Sequence, residues 1–207
     1  MIGSYTDIRM WSSSAQSDPY LVAVACGIDV NNIYRIPKEL RDDFHFMDNL
    51  VQEIYSTTLY NHAVRDVVKL ASKRLRNNKS FMMNAVLKDA STFEFAGKDI
   101  SSSTDFIREI FENDIYIYPH LSYQVQQNHE FAKRAIKNGF PVHDLPKQLF
   151  EDKDIVKTCF RYGRARETYM MLPKKMQEDL SIVKMYVEKC NEEKVTLPTT
   201  VLKKLLK

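Results

Sequence analysis

The sequence predicts an all-α fold, a right-handed-type solenoid of stacked short helix pairs with a period of about 25 residues. Three observations predict it. An apolar doublet, followed after two other residues by a second apolar or small doublet, recurs along the chain. Between these doublets recurs a step: an aliphatic or small residue, then Pro, Ser or Gly, two mostly polar residues, and an aliphatic one. Gly and Pro are scarce, five and seven among 207 residues, which argues against a fold with many tight turns.

The doublet pairs read Tyr20-Leu21 with Val24-Ala25, Leu50-Val51 with Ile54-Tyr55, and Phe81-Met82 with Ala85-Val86. They continue as Phe106-Ile107 with Ile110-Phe111, Phe131-Ala132 with Ala135-Ile136, Ile155-Val156 with Cys159-Phe160, and Ile182-Val183 with Tyr186-Val187. Positions one, two, five and six share one side of an α-helix, whereas a strand sets neighbours on opposite faces. Each copy is therefore expected to be an amphipathic helix. Asp18, Ser80, Thr104 or Asp105, Asn128, Asp152 or Asp154, and Asp179 or Ser181 stand where its N-cap should fall.

The steps read Ile36-Pro37…Leu40, Ala71-Ser72…Leu75, Ala96-Gly97…Ile100, Leu121-Ser122…Val125, Leu145-Pro146…Leu149, Leu172-Pro173…Met176 and Leu197-Pro198…Val201. From the second residue of one step to that of the next, the chain advances 35, 25, 25, 24, 27 and 25 positions. Pro is tolerated at a first helical position, where its missing N–H has no intrahelical partner, so each Pro is expected to open a short second helix. A fixed period is the signature of a solenoid, in which no unit buries its apolar face alone. This period is too short for tetratricopeptide, ankyrin or HEAT units, and the Asn- or Cys-bearing strand pattern of leucine-rich repeats is missing. The expected organisation is an N-terminal arm or cap over residues 1–17 and one helical-repeat domain over 18–207. An irregular second unit at 51–71, without Gly or Pro, is read as longer helices joined near Thr57–Asn61.

The stretch from Phe131 to Val156 joins an apolar doublet, a Lys137-Asn138-Gly139 turn and a Leu145-Pro146 step to Leu149 and Asp152. Val67 to Lys79 is a second good copy. These units resemble a short helical-repeat family, domain of unknown function 4116, over roughly residues 18–207. The resemblance implies stacked helices and an association with bacteria, protists and large DNA viruses or phages. It brings no catalytic residues to transfer.

Lys+Arg exceed Asp+Glu by three overall, but unevenly. Residues 146–207 hold 14 basic against 9 acidic residues, and residues 1–145 hold 16 against 18. The densest basic run is Arg65, Lys69, Lys73, Arg74, Arg76 and Lys79; Lys69, Lys73 and Arg76 are spaced to share one helix face. A second group is Lys157, Arg161, Arg164 and Arg166, with Tyr162 and Tyr169 interleaved. Either group is a solvated helix face or a surface for nucleic acid or an acidic protein. Trp11, amid Tyr5, Ile8 and Met10, either caps the open end of the first unit or anchors a docking arm.

The same reading narrows the chemistry. Glu109, Glu112 and Asp114 are read as surface charge, because acid–base pairs need a pocket that separates their environments. His45, His62, His120, His129 and His143 show no metal-ligand spacing, and no phosphate-binding loop or nucleophile elbow is present. Cys26, Cys159 and Cys190 are scattered, with Cys159 on an apolar helix face, so buried thiols in a reducing, cytoplasmic compartment are expected. No apolar run reaches the length of a membrane span, and no cofactor is expected. The expected function is binding rather than catalysis. With the resemblance, it becomes a phage, viral or bacterial-effector protein that binds and inhibits or redirects a host protein; the alternative is a nucleic-acid binder using its basic faces.

Overall fold

The computed structural model describes residues 7–57, 63–113, 115–199 and 201, and every regular element among them is helical, with no strand. The chain packs as two compact units, Met1–His120 and Leu121–Lys207. In the first, α1 (Ser13–Gln16) leads into α2 (Pro19–Ile28) and a 3-10 helix at Val30–Arg35. Then come α3 (Phe44–Thr57) and α4 (Ala63–Leu70). The opening order returns as α5 (Lys73–Arg76), α6 (Lys79–Lys88) and a 3-10 helix at Ala90–Phe95. It returns again as α7 (Lys98–Ser101), α8 (Thr104–Asn113) and a 3-10 helix at Ile115–His120. Of the longer helices expected in the irregular stretch, α3 is longer at 14 residues, whereas α4, at 8, is shorter than the 10-residue α2 and α6; residues 58–61 of the expected turn lie outside the described residues.

The second unit opens the same way, with α9 (Tyr123–Gln126), α10 (His129–Lys137) and a 3-10 helix at Val142–Asp144. A 3-10 helix at Lys147–Glu151 precedes α11 (Lys153–Tyr162) and α12 (Ala165–Met171). Finally α13 (Lys174–Glu178) precedes α14 (Leu180–Glu192).

One backbone requirement explains why Ser, Gly and Pro alternate in the step. The residue before four of the short helices is an N-cap in an extended, polyproline-like conformation: φ −59°, ψ 159° at Ser72, −64°, 162° at Gly97, −58°, 148° at Ser122 and −64°, 154° at Pro173. Pro is locked near this φ, and Ser reaches it while its hydroxyl accepts an N–H of the new helix, from Leu75 and Val125 at the two serines. Gly97 fills the slot because a Cβ there would run into the Asn77 side chain, which accepts the Asp99 N–H at 3.1 Å. Pro146 and Pro173 thus stand at the N-cap, one position earlier than the expected first helical residue. Within the stretch read as an arm, Ser12 adopts the same geometry (φ −62°, ψ 155°) and caps α1 through the Ala15 N–H, a copy of the step that sequence reading passed over.

The long helices bury the doublets. Phe81, Met82, Ala85 and Val86, Phe106, Ile107, Ile110 and Phe111, Phe131, Ala132, Ala135 and Ile136, and Ile155, Val156, Cys159 and Phe160 are all core. Three helices, α2, α3 and α14, differ in part. In α2 the doublets run one residue later than read, Leu21-Val22 with Ala25-Cys26, so Val22, Ala25 and Cys26 are buried and Tyr20 is 74% exposed; the helix starts at Pro19, two residues before Leu21, the offset that α6 has before Phe81. Tyr55 is exposed, and in α14 Cys190 rather than Val187 joins the core. Asp18, Asn128, Asp152 and Asp179 cap as expected. The cap of α6 is Asn78 rather than Ser80, and Ser103 rather than Thr104 or Asp105 accepts the Phe106 N–H, since both helices start earlier than expected.

Successive segments within each unit are tied at similar offsets. The Ser72 N–H donates to the Arg41 carbonyl at 2.9 Å, and the Gly97 N–H to the Arg76 carbonyl at 2.7 Å. Lys79 pairs with Glu109 at 2.6 Å, Lys153 with Asp179 at 2.5 Å, and the Tyr123 hydroxyl donates to Gln148 at 2.5 Å. The Lys153 ammonium, with the Ser181 hydroxyl and N–H, holds the Asp179 carboxyl well below the usual carboxylate range.

Two long helices end in the same hydrogen-bond pair. After α10, Phe140 N–H bonds the Ala135 carbonyl and Gly139 N–H the Ile136 carbonyl, with Gly139 at φ 88°. After α14, Val195 bonds Cys190 and Lys194 bonds Asn191, but here the left-handed position (φ 55°) is a lysine. Gly suits this slot because it has no Cβ to oppose the carbonyl. Lys194→Gly is therefore expected to raise stability by about 1 kcal/mol, measured by urea unfolding.

Candidate functional site

The basic groups separate into charges used inside the fold and charges that are not. In the first unit, Arg65 pairs with Glu94 at 2.6 Å and lies 4.9 Å over the Phe95 ring. Arg74 is bonded to the Asp42 carboxylate at 3.0 Å and also to its carbonyl, while the Ser72 hydroxyl and Arg74 together lower the Asp42 pKa. Arg76 is half-buried and reaches the Phe95 carbonyl at 3.4 Å. Lys69, Lys73 and Arg76 do not share a helix face, because α4 ends at Leu70 and Ser72 starts a new helix. Lys69 and Lys73 are exposed, without an ion pair among the described residues. Trp11 is half-buried, its carbonyl accepting from the Gln16 side chain at 2.9 Å.

In the second unit, Tyr169 is a core residue rather than a surface anchor. It is 8% exposed, stacks on Tyr186 with centroids 4.1 Å apart, and donates to the Gln177 carbonyl at 3.1 Å. Arg164 faces Glu167 at 3.5 Å, and Arg166 is exposed; neither joins the site below.

That site is a groove of about 670 Å³ over three long helices of the second unit. α10 contributes Lys133 and Lys137, and α11 contributes Asp154, Lys157, Arg161 and Tyr162. α14 contributes Met185, Glu188, Lys189 and Glu192, and α11 packs directly against both other helices. Lys133 is bonded to Asp154, and Lys189 stands 3.5 Å from Glu192. Lys137, Lys157 and Arg161 are exposed without an ion pair among the described residues, and Tyr162 beside them is 48% exposed. Phe160, 3% exposed, lies beneath.

The groove's cations occupy matching places. Lys133 and Lys137 stand two and six positions after Phe131, the first residue of its buried doublet; Lys157 and Arg161 stand two and six after Ile155. Both pairs are four apart and so share a helix face, about 6 Å along the axis. In α14 the same places hold Lys184 and Glu188. In the first unit they hold Ala23 and Gly27, Gln52 and Ser56, and Met83 and Leu87, with Arg108 and Glu112 in α8. Lys133, Lys137 and the α14 wall were missed in the sequence, although this alignment of copies would have found Lys133, Lys137 and Glu188.

The remaining reactive groups are used otherwise. Burial pushes the Cys26 and Cys159 thiols up to about 12, and Cys190 is buried too. His120 contacts Glu94 at 2.9 Å and His129 contacts Asp152 at 3.5 Å; His45 stacks edgewise on Phe44, and His62 lies outside the described residues. Glu109 is paired with Lys79, and Asp114 is outside the described residues. Among the described residues no group of three His, Cys, Asp or Glu could hold a metal, and no helix is long and apolar enough to cross a membrane. Compared with protein-family models, curated proteins and solved structures, the chain matches none.

Proposed function

We propose that this chain is a non-catalytic helical-repeat module, a solenoid of short helix pairs, that binds a protein partner through the groove of α10, α11 and α14. One observation carries the reading. The places that hold Lys133, Lys137, Lys157 and Arg161 hold small, amide or apolar residues in α2, α3 and α6, so the helices form without cations there. The charges are an elaboration of this face, and three of them have no acid to neutralise them. An exposed Tyr beside an unpaired Arg is the composition of an interaction hot spot. The repeat reading is supported by the recurring cap geometry and by the ties between successive segments. The narrower role of a viral or effector protein acting on a host protein, and membership of the short helical-repeat family, rest on the sequence resemblance.

The test is a photo-reactive phenylalanine analogue placed at Tyr162 and, separately, at Lys69, in the full chain expressed in cells. The proposal expects a protease-sensitive adduct at 162 and none at 69. An adduct at 69 alone would move the site to the first unit. An adduct at 162 that nuclease removes would replace the protein partner with nucleic acid.

A further inference from the structure

Resting on that reading, we infer that the groove takes an acidic polypeptide segment lying along its length, with carboxylates toward α10 and α11 and a basic residue toward α14. The two walls differ in sign. Lys137, Lys157 and Arg161 form one wall, with no carboxylate spent on them; Lys133 beside them is held by Asp154. The α14 wall presents Glu188 and Glu192, and its one cation, Lys189, is already flanked by Glu192 and by Glu193 at 3.9 Å.

A nucleic-acid strand is negative along its whole length, so Glu188 and Glu192 would face phosphates and repel them. A polypeptide can alternate sign across its width and satisfy both walls. Each basic helix offers cations about 6 Å apart along its axis, which matches carboxylates four residues apart on a helix. Extended chain meets the same spacing at every second residue. Met185, half-buried, and the exposed Tyr162 ring give apolar side chains of the segment a place to rest between the charged walls.

The probe is a random peptide library displayed on yeast, selected against the full chain, with synthetic copies of the enriched peptides then titrated by fluorescence anisotropy. The inference expects enriched peptides with an excess of Asp and Glu. Lys157→Glu with Arg161→Glu should weaken them by about tenfold or more at an unchanged melting temperature. Glu188→Lys should weaken peptides that carry a basic residue and spare versions in which that residue is Ala. The chemistry is overturned if the selection yields no binder that the double reversal weakens, or binders without acidic excess. Such a result alongside a protein adduct at position 162 leaves the groove as the partner site and removes only the acidic segment. A single-stranded oligonucleotide that displaces the peptides, alongside a nuclease-sensitive adduct, removes both.

Discussion

Phe160→Ala is expected to lower the unfolding free energy by about 3–5 kcal/mol. The ring sits near the end of α11, 3% exposed, with its centroid 6.2 Å from that of Tyr186. Tyr186 is itself buried, with its phenol pushed up to about 12 by burial, and stacks on Tyr169 at an interplanar angle of 12°. Removing the first ring of this set leaves a void that two stacked rings on separate helices cannot collapse to fill, so both the transfer and the cavity costs apply. Denaturant unfolding followed by circular dichroism checks it. A midpoint equal to the wild type's would mean that α11 does not turn this face inward.

Gly163→Ala is the second large effect, at about 1–3 kcal/mol. Gly163 ends α11, and its N–H donates to the Cys159 carbonyl at 2.7 Å. An added Cβ would lie 2.7 Å from that same carbonyl oxygen and 2.7 Å from Val142 Cγ2. The first of these is backbone, which cannot rotate away, so the turn into α12 must shift. Gly27, by contrast, has no atom within 4 Å of such a Cβ, and Gly27→Ala is the matched control. Equal urea midpoints for the two variants would show that the end of α11 has room to spare.

What the sequence could reveal followed the strength of each local rule. Four of the seven doublet pairs were legible to the residue, because positions one, two, five and six fall on one helix face whatever the neighbours do. The register slipped in α2, where the doublets begin at Leu21 and Tyr20 looks apolar by type yet stands in solvent. The step was visible as a pattern, but its meaning as a cap emerged only from the shared backbone angles at Ser72, Gly97, Ser122 and Pro173. The same angles drew Ser12 into the pattern, where the Ser cluster had hidden it.

The site was half legible. Lys157, Arg161 and Tyr162 were singled out and line the groove, whereas Arg74 is paired with Asp42, Arg76 reaches the Phe95 carbonyl and Tyr169 lies in the core. Counting charges along the chain cannot tell a cation that meets Asp42 thirty-two residues away from one that meets nothing. The other half of the groove, Lys133, Lys137 and Glu188, comes from helices distant in sequence and is assembled by packing. The second unit as a whole carries the basic excess, 17 Lys+Arg against 11 Asp+Glu, which the bias of residues 146–207 had foreshadowed.

The groove is tested most directly by two double charge reversals read side by side in one partner-capture experiment. One carries Lys157→Glu with Arg161→Glu; the other carries Lys69→Glu with Lys73→Glu. All four residues are exposed and lack ion pairs among the described residues, so both variants should melt with the wild type, since exposed charges contribute little to stability. The groove reading predicts that the first variant loses about tenfold or more of the captured partner and that the second retains it. Capture that survives reversal at 157 and 161 but fails at 69 and 73 would contradict it.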